Sequence, residues 1–242
     1  MKRFFIDFPI STNQMITLDG DQHKHLKLVL RANVGQSIIL FCGDGFDYIA
    51  QIQTITKNAT TVFIQQQNAN TITEPTIQVD LCFGLLKSSD KIDLIVQKSV
   101  ELGASNIIPF VSQYTNAKTI NQPRLQKISN EALKQCGRSC KVIVHNSISF
   151  EQMVSLAKNY DQIIFAYERA ETTQSLSNHT NHLNPKKIAL IVGSEGGFSP
   201  NEAQQLINDK TTTVSLGKRI LRAETACISL LSIIMFINGQ MQ

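Results

Sequence analysis

The chain has no long hydrophobic run. Its longest apolar stretch, residues 227–237, is far shorter than the roughly 20 residues that a membrane-spanning helix needs. Near the amino terminus, Asp7 follows only three apolar residues, which is too early for the apolar core of a signal peptide. The sequence therefore predicts a cytoplasmic protein without a membrane segment, and its hydrophobic content of 42% is enough for a real core.

Cysteine and charge are also sparse. The five cysteines form neither an even set nor a C-x-x-C pair, so neither a disulfide framework nor a zinc site is indicated. His179 and His182 lie in a polar stretch without a nearby cysteine or carboxylate cluster, so we expect no bound metal. The formal net charge of +4 permits a nucleic-acid partner but does not require one.

The familiar phosphate-binding motifs are missing as well. Residues 193–197 read G-S-E-G-G rather than the dinucleotide fingerprint G-x-G-x-x-G, and Glu195 would repel a pyrophosphate. The P-loop lysine is absent too. These absences disfavour a nucleotide-binding oxidoreductase. A glutamate among exposed backbone amides better suits a ligand with hydrogen-bond donors and a positive charge, such as a sulfonium or an amino group.

The chain does contain two glycine loops, each set between a strand-like and a helix-like segment. In the first, the apolar residues 188–192 predict a buried parallel strand, and the glycines of 193–197 let the backbone bend. Ser199 and Glu202 then have the spacing of a capping box, with Pro200 at the first helical position. A strand, a loop and a helix start thus follow one another.

The second loop has the same layout. Residues 213–216 predict a short strand, residues 217–219 a turn, and the apolar pattern from Ala223 onward a helix. Arg222 and Glu224 lie at the junction between turn and helix. Both loops are suited to hold a ligand.

The amino-terminal part reads as short strands broken by turns. Residues 37–42, 48–56 and 61–65 predict strands of a small β-barrel, and residues 21–30 predict one short helix. The inward residues of this helix are Leu26, Val29 and Leu30, and its other faces carry His23, Lys24, His25, Lys27 and Arg31. The polar residues 68–75 predict a linker.

After the linker, strands alternate with helices, which predicts an α/β fold with a parallel sheet and helices on both faces. The predicted strands are residues 77–83, 106–111, 142–145, 162–167, 188–192 and 213–216. Helices are predicted to begin at Ser88 or Ser89, at Pro123 and at Ser149, where Gln152 completes a capping box. Residues 172–185 predict a surface loop.

The two glycine loops, residues 193–199 and 215–226, resemble those of the SPOUT class of S-adenosylmethionine-dependent RNA methyltransferases. More narrowly, the chain resembles the RsmE family, the 16S ribosomal RNA uridine N3-methyltransferases. Residues 25–31, 97–103 and 135–138 also look like landmarks of that family, so the resemblance covers nearly the whole chain.

Three positions depart from the family pattern. Ser194 and Lys218 stand where the family usually has proline, and Ala223 stands where it has threonine. The resulting Gly-Ser-Glu-Gly is similar to the form in sibling SPOUT enzymes that methylate ribose. A ribose 2'-O-methyltransferase is therefore the enzymatic alternative, and a non-catalytic RNA-binding protein is the alternative from another class.

The resemblance implies a particular architecture. Residues 74–242 would form a SPOUT domain with a deep trefoil knot and a mostly parallel sheet, and residues 1–70 a PUA-like β-barrel that binds RNA. The class usually works as a homodimer. The implied substrate is 16S rRNA, free or in the small ribosomal subunit.

The resemblance also implies a site for S-adenosylmethionine. The residues expected to hold it are Ala166, Tyr167, Gly193, Glu195, Gly196, Gly197, Leu216, Gly217, Ile220 and Leu221. Arg222 is the first candidate for a catalytic residue, because it could stabilise an anionic uracil, and Glu224 could orient it or act as the base. The alternatives are an ion pair between Arg222 and Glu224 that only shapes the loop and, for Glu195, a carboxylate at a helix amino terminus that is favoured by the local dipole.

Candidate RNA contacts are Arg3, His25, Arg31 and Arg138. Lys87, Lys91 and Lys98 are further candidates, although isolated lysines on helices are more typical of plain solvated charge.

Overall fold

The computed structural model describes residues 1–116, 119–167 and 185–241. The chain divides into two compact units. The first comprises Met1–Glu74 and Leu133–Lys141, and the second comprises Pro75–Ala132 and Val142–Gln242. The amino-terminal unit thus includes a short piece from far along the chain, which lies outside the range 1–70 that the sequence predicts for the barrel.

The amino-terminal unit is built on a five-stranded sheet with the order β1-β3-β4-β5-β2. Its strands are β1 Arg3–Phe5, β2 Met15–Leu18, β3 Ser37–Phe41, β4 Phe46–Ile55 and β5 Thr60–Ala69. Only the β1–β3 pairing is parallel among these. Along β4 the side chains alternate, and Tyr48, Ala50 and Ile52 point into the core that the sheet encloses.

The predicted linker begins too early. Asn68 and Ala69 belong to β5, where they pair with Asp47 and Phe46 of β4. Cross-strand pairing satisfies their backbone groups, and this long-range partner outweighs the local polar composition that predicted a linker.

The short helix is confirmed, but its inward face is partly wrong. It consists of α1, Gly20–Lys24, followed by a π-helical turn, His25–Val29, in which Leu30 N donates to His25 O. The wider turn changes the spacing of buried positions. Leu26 is 1% exposed as predicted, whereas Val29 is 67% exposed, and His23 is buried against Thr60 rather than solvated.

The second unit is an α/β layer structure, and every strand pairing described in it is parallel. The strand order is β12-β10-β11-β6-β7-β8, and β9 also pairs with β7. The strands are β6 Gln78–Gly84, β7 Asn106–Val111, β8 Ile143–Val144, β9 Ile148–Ser149, β10 Gln162–Ala166, β11 Lys187–Val192 and β12 Thr211–Val214. The helices are α2 Ser89–Glu101, α3 Gln122–Cys136, α4 Phe150–Ala157, α5 Pro200–Leu206 and α6 Ala223–Ile237. The predicted α/β fold with a parallel sheet is confirmed.

The central strand β11 shows why this sheet forms. From Ile188 to Val192 each residue is buried, as expected for a strand covered on both faces. One face packs against α4 and α5 through an aromatic cluster that includes Phe110, Phe150 and Phe198. The helices α2 and α6 pack against each other, and α6 also contacts β6 and β11.

Both predicted capping boxes form. Ser149 with Gln152 starts α4, and Ser199 with Glu202 starts α5 directly after the first glycine loop. These boxes satisfy backbone N–H groups that would otherwise have no partner at the helix ends. The end of the first loop is therefore fixed in place.

One predicted strand boundary differs in the structure. The last strand, β12, begins and ends two positions earlier than predicted, because Thr211 to Val214 pair with Ile163 to Ala166 of β10. Of the predicted loop 172–185, all but the final residue lies outside the described residues, as do His179 and His182. Within the described part of the chain, no helix is long and apolar enough to cross a membrane.

Candidate active site

A cavity of about 660 Å³ opens at the carboxyl ends of β10, β11 and β12. Open parallel sheets bind their ligands at this edge. The cavity is lined by the last residues of these strands and by both glycine loops. Its lining includes every residue that the resemblance implies for the cofactor: Ala166, Tyr167, Gly193, Glu195, Gly196, Gly197, Leu216, Gly217, Ile220 and Leu221.

Close backbone packing explains the glycines around the first loop. A Cβ on Gly84, at the end of β6, would lie 2.4 Å from Ser194 N, and a Cβ on Gly193 would lie 3.0 Å from Gly197 Cα. Gly197 has a φ of +67° and donates its N–H to Ser194 O. The loop therefore folds back on itself. A side chain has no room at Gly84 and little room at Gly193, whereas Gly197 has open space around it and is favoured there by its positive φ.

Glu195 faces the beginning of α2. Its Oε1 lies 4.0 Å from Lys91 Nζ and accepts a long hydrogen bond of 3.4 Å from Lys87 N. The carboxylate that caps α5 is Glu202 instead, which accepts from Ser199 N at 2.9 Å and from Gln113 N at 2.7 Å. Glu195 lies instead at the amino-terminal end of α2, where its contacts are Lys87 N and Lys91 Nζ.

The second loop presents mostly backbone and exposed side chains to the cavity. Gly217 has a φ of +109°, and its N–H donates to Ser215 Oγ at 3.4 Å. Ile220 is 93% exposed at the cavity. Arg219 also lines the cavity, and its position between Gly217 and Ile220 was the only sequence signal that could have identified it.

Arg222 and Glu224 are both near the cavity but do not pair with each other. Arg222 is exposed, precedes the first turn of α6 and lines the cavity, and within the described residues its guanidinium forms no ion pair. Glu224 is 8% exposed, and its Oε1 lies 3.6 Å from Lys91 Nζ. The ion pair proposed as an alternative is therefore replaced by a different one, which involves a lysine from α2.

Two buried oxygen atoms in this region have no hydrogen-bond partner among the described residues. They are Ser194 Oγ, on the cavity wall, and Glu224 Oε2. Buried polar atoms are usually paired, and unpaired ones are common where a ligand or water binds. This region therefore has unused hydrogen-bonding capacity.

The candidate RNA contacts divide into two pairs. Arg138 is 4% exposed and lies 3.1 Å from Glu74, while Arg3 forms a two-bond pair with Asp47 and lies over the ring of Phe41. Burial and pairing argue against RNA contact by these two guanidinium groups. His25 and Arg31 are exposed and stay candidates. Lys98 pairs with Glu101 of its own helix at 2.9 Å.

Comparison with known proteins agrees with this architecture. A family described as RNA methyltransferase domain matches residues 73–235, and one described as RNA methyltransferase PUA domain matches residues 18–65. Ribosomal RNA small subunit methyltransferase E of Rickettsia conorii is 33% identical over 94% of this chain and 92% of that protein. The Bacillus subtilis protein of the same name is 31% identical over 98% of this chain and 96% of its own length.

Among solved structures, ribosomal RNA small subunit methyltransferase E from Neisseria gonorrhoeae, bound to S-adenosyl methionine, has a TM-score of 0.83 at 28% identity and 98% coverage of both chains. The fold and the matched domains define an RNA methyltransferase with an amino-terminal PUA domain. The chain belongs to the ribosomal RNA small subunit methyltransferase E family.

Proposed function

We propose that this protein transfers a methyl group from S-adenosylmethionine to N3 of a uridine in 16S rRNA of the small ribosomal subunit. The observation that carries the proposal is the cavity at the carboxyl ends of β10 to β12, lined by both glycine loops and by Arg222. Family membership supports the reaction class, and the cofactor bound to the Neisseria gonorrhoeae relative supports the cofactor.

The residues around the cavity fit S-adenosylmethionine. The glycine loops leave backbone groups accessible, and Ser194 Oγ is available for a polar ligand. Glu195 and Glu224 place two carboxylates near the cavity, which favours a ligand with a positive charge. When bound, S-adenosylmethionine supplies the electrophilic methyl group on its sulfonium.

Arg222 is the residue that we assign to the uracil. Uridine N3 is a weak acid, so it accepts a methyl group only when its proton is removed and the resulting anion is stabilised. The Arg222 guanidinium is exposed at the cavity and has no ion-pair partner within the described residues, so it is available to stabilise that charge. Glu224 orients the site or takes the proton. Methyl transfer is a displacement that depends mainly on positioning.

The wider proposal assigns a role to each part of the chain. Residues 1–70 would act as the PUA-like module and contact RNA through His25 and Arg31, and residues 74–242 would form the SPOUT domain with its trefoil knot. The side chains of His25 and Arg31 are both exposed, which supports their assignment as RNA contacts. We further propose that the protein acts in the cytoplasm, where its substrate is assembled, and that it needs no metal.

A homodimer belongs to the same proposal. The exposed apolar side chains of Leu94 on α2 and of Ile233 and Phe236 on α6 support it, because such side chains are favoured at interfaces. Phe236 is the most exposed of these three side chains, at 66%.

Ribose 2'-O-methylation is the second candidate reaction. It is favoured by one feature, Ser194, which gives Gly-Ser-Glu-Gly and places an unpaired hydroxyl on the cavity wall. A protein that binds rRNA without methyl transfer is the remaining alternative. The identity of the methylated nucleoside separates the first two reactions, and the absence of any transfer identifies the third.

The Arg222→Ala variant tests the proposed catalytic role. Loss of one preorganised donor to a developing anion typically lowers kcat by about 100-fold or more, so we expect a loss of roughly that size in methyl transfer to small subunits. Affinity for S-adenosylmethionine, measured by calorimetric titration, should stay near that of the unchanged protein. The Lys98→Met variant serves as the control. Normal turnover by Arg222→Ala would refute the role.

A further inference from the structure

Lys91 of α2 connects the two glycine loops. Its ammonium lies 4.0 Å from Glu195 Oε1, in the first loop, and 3.6 Å from Glu224 Oε1, directly after the second loop. The two carboxylates come from separate parts of the chain, and α2 belongs to neither loop. We propose that Lys91 is a positioning residue that holds both loops in the arrangement that receives the ligand.

The surroundings of Lys91 explain why its charge matters. Its side chain is 31% exposed and lines the cavity, whereas the Glu224 side chain is 10% exposed. Among the described residues Glu224 Oε2 has no hydrogen-bond partner, and Lys91 is the charged partner that they give this carboxylate. Removing Lys91 leaves the 10%-exposed Glu224 carboxylate without its compensating charge, which is unfavourable, although the 31% exposure of Lys91 moderates the cost.

The expected consequence reaches both loops. Without Lys91, the Glu224 carboxylate would have to move toward water, and that movement disturbs the first turn of α6. Glu195 would also lose its contact, although its side chain is 39% exposed and its attraction to Lys91 is correspondingly weaker. We therefore expect a larger structural disturbance around Glu224, in the first turn of α6, and a smaller one in the first glycine loop.

Lys98 provides a matched control on the same helix. It lies two turns after Lys91 and pairs with Glu101 of α2 itself, at 2.9 Å. Changing Lys98 to Met removes the same charge and the same side-chain type without touching either loop. Lys91→Arg is the conservative variant, because it keeps a positive charge within reach of both carboxylates.

The first experiment measures amide hydrogen exchange in the ligand-free chain. Lys91→Met should accelerate exchange at Ala226, whose N–H bonds to Arg222 O in the first turn of α6, and at Gly197, whose N–H bonds to Ser194 O. We expect an increase of roughly fivefold or more at Ala226 and a smaller one at Gly197. Lys91→Arg should restore most of the protection, and Lys98→Met should change neither amide. The proposal would be overturned if exchange in Lys91→Met stayed unchanged at Ala226 or at Gly197.

The second experiment depends on the proposed function and measures S-adenosylmethionine affinity and methyl-transfer kinetics. Lys91→Met should weaken binding about tenfold and raise KM more than it lowers kcat. In the Glu224→Gln background, Lys91→Met should weaken S-adenosylmethionine binding by less than about twofold, because no buried charge is then left unpaired. If Lys91→Met weakened S-adenosylmethionine binding equally in the wild-type chain and in the Glu224→Gln background, Lys91 would not act through Glu224. A further outcome is that the wild-type protein binds no S-adenosylmethionine although Lys91→Met accelerates exchange at both amides. In that case the proposed function would fail and the loop-positioning role of Lys91 would stand.

Discussion

Gly84 lies where β6 approaches the first glycine loop. A Cβ at this position would be 2.4 Å from Ser194 N, so Gly84→Ala must push the loop backbone away from the strand. We expect a loss of about 2 kcal/mol in the free energy of unfolding, the usual cost of overpacking, together with weaker S-adenosylmethionine binding. Denaturant unfolding and calorimetric titration measure the two effects.

Gly35→Ala is the control for that change. Gly35 has a φ of +87° but open space around its Cβ position, so alanine there strains the backbone of the unit that does not contain the cavity. Stability should fall while ligand affinity stays the same. Equal affinity losses in both variants would contradict the packing argument.

The cysteines give a second prediction at the scale of single residues. Burial raises the pKa of the Cys82 and Cys227 thiols, and burial together with the nearby Glu74 charge raises the pKa of Cys140 to about 11. Because the thiolate is the reactive form, alkylation of Cys140 in the folded protein should be slow at pH 8 and accelerate as pH rises toward that value. Cys82 and Cys227 should react last.

Iodoacetamide labelling at several pH values, followed by peptide mass spectrometry, checks this order. Early labelling of Cys82 in the folded chain would contradict its burial. Labelling in denaturant should remove the differences, because all five thiols then share the same environment.

Sequence reasoning found the cavity residues because they are contiguous. Gly193 to Gly197 and Leu216 to Leu221 lie in two short loops whose strands share one edge of a parallel sheet. It did not find that Lys91 pairs with Glu195 and Glu224, because those partners lie more than a hundred residues away in sequence. The pairing of Arg138 with Glu74, 64 residues earlier, was likewise absent from the local pattern.

At the scale of elements, the piece Leu133–Lys141 completes the amino-terminal unit through buried polar contacts. Glu74 pairs with Arg138 and accepts from Ser139 N and from Cys140 N, the latter at 2.7 Å. Asp47 and Arg3 bond to the side chain of Ser139 as well. This piece is thus attached by charged hydrogen bonds together with isolated backbone bridges to residues 43–45, not by a continuous strand ladder.

Glu74→Gln should therefore destabilise the protein strongly. It removes the carboxylate that pairs with the 4%-exposed Arg138, and breaking such a buried pair typically costs about 3 kcal/mol or more. Glu101→Gln is the matched control, because it removes a carboxylate from a more exposed pair within one helix, worth less than about 1 kcal/mol. Similar unfolding midpoints for the two variants would show that the Glu74 contacts contribute little.

The sequence pattern predicted most elements of the second unit, and it failed where tertiary contacts decide. Period and capping signals identified α4, α5 and the start of α6. The π-helical turn His25–Val29 has no comparable signal, so Val29 was placed inward although it is exposed. The ends of β5 and β12 depend on partner strands, which local composition does not contain.

For the whole molecule, the amino-acid sequence and the structure lead to the same class of protein by different routes. The glycine loops indicated the family, and the structure gathers those loops around one cavity in the second unit. The knot and the homodimer are features that the family resemblance implies and that stay predictions. The modest net charge of +4 permits an RNA partner without requiring one.

The most direct test of the central claim is the identity of the methylated nucleoside. Small ribosomal subunits lacking modifications would be incubated with the protein and S-adenosylmethionine carrying an isotopically labelled methyl group, then digested and analysed by mass spectrometry. We predict labelled N3-methyluridine, strongly reduced with Arg222→Ala. A labelled ribose-methylated nucleoside, or no labelled nucleoside at all, would contradict the proposed reaction.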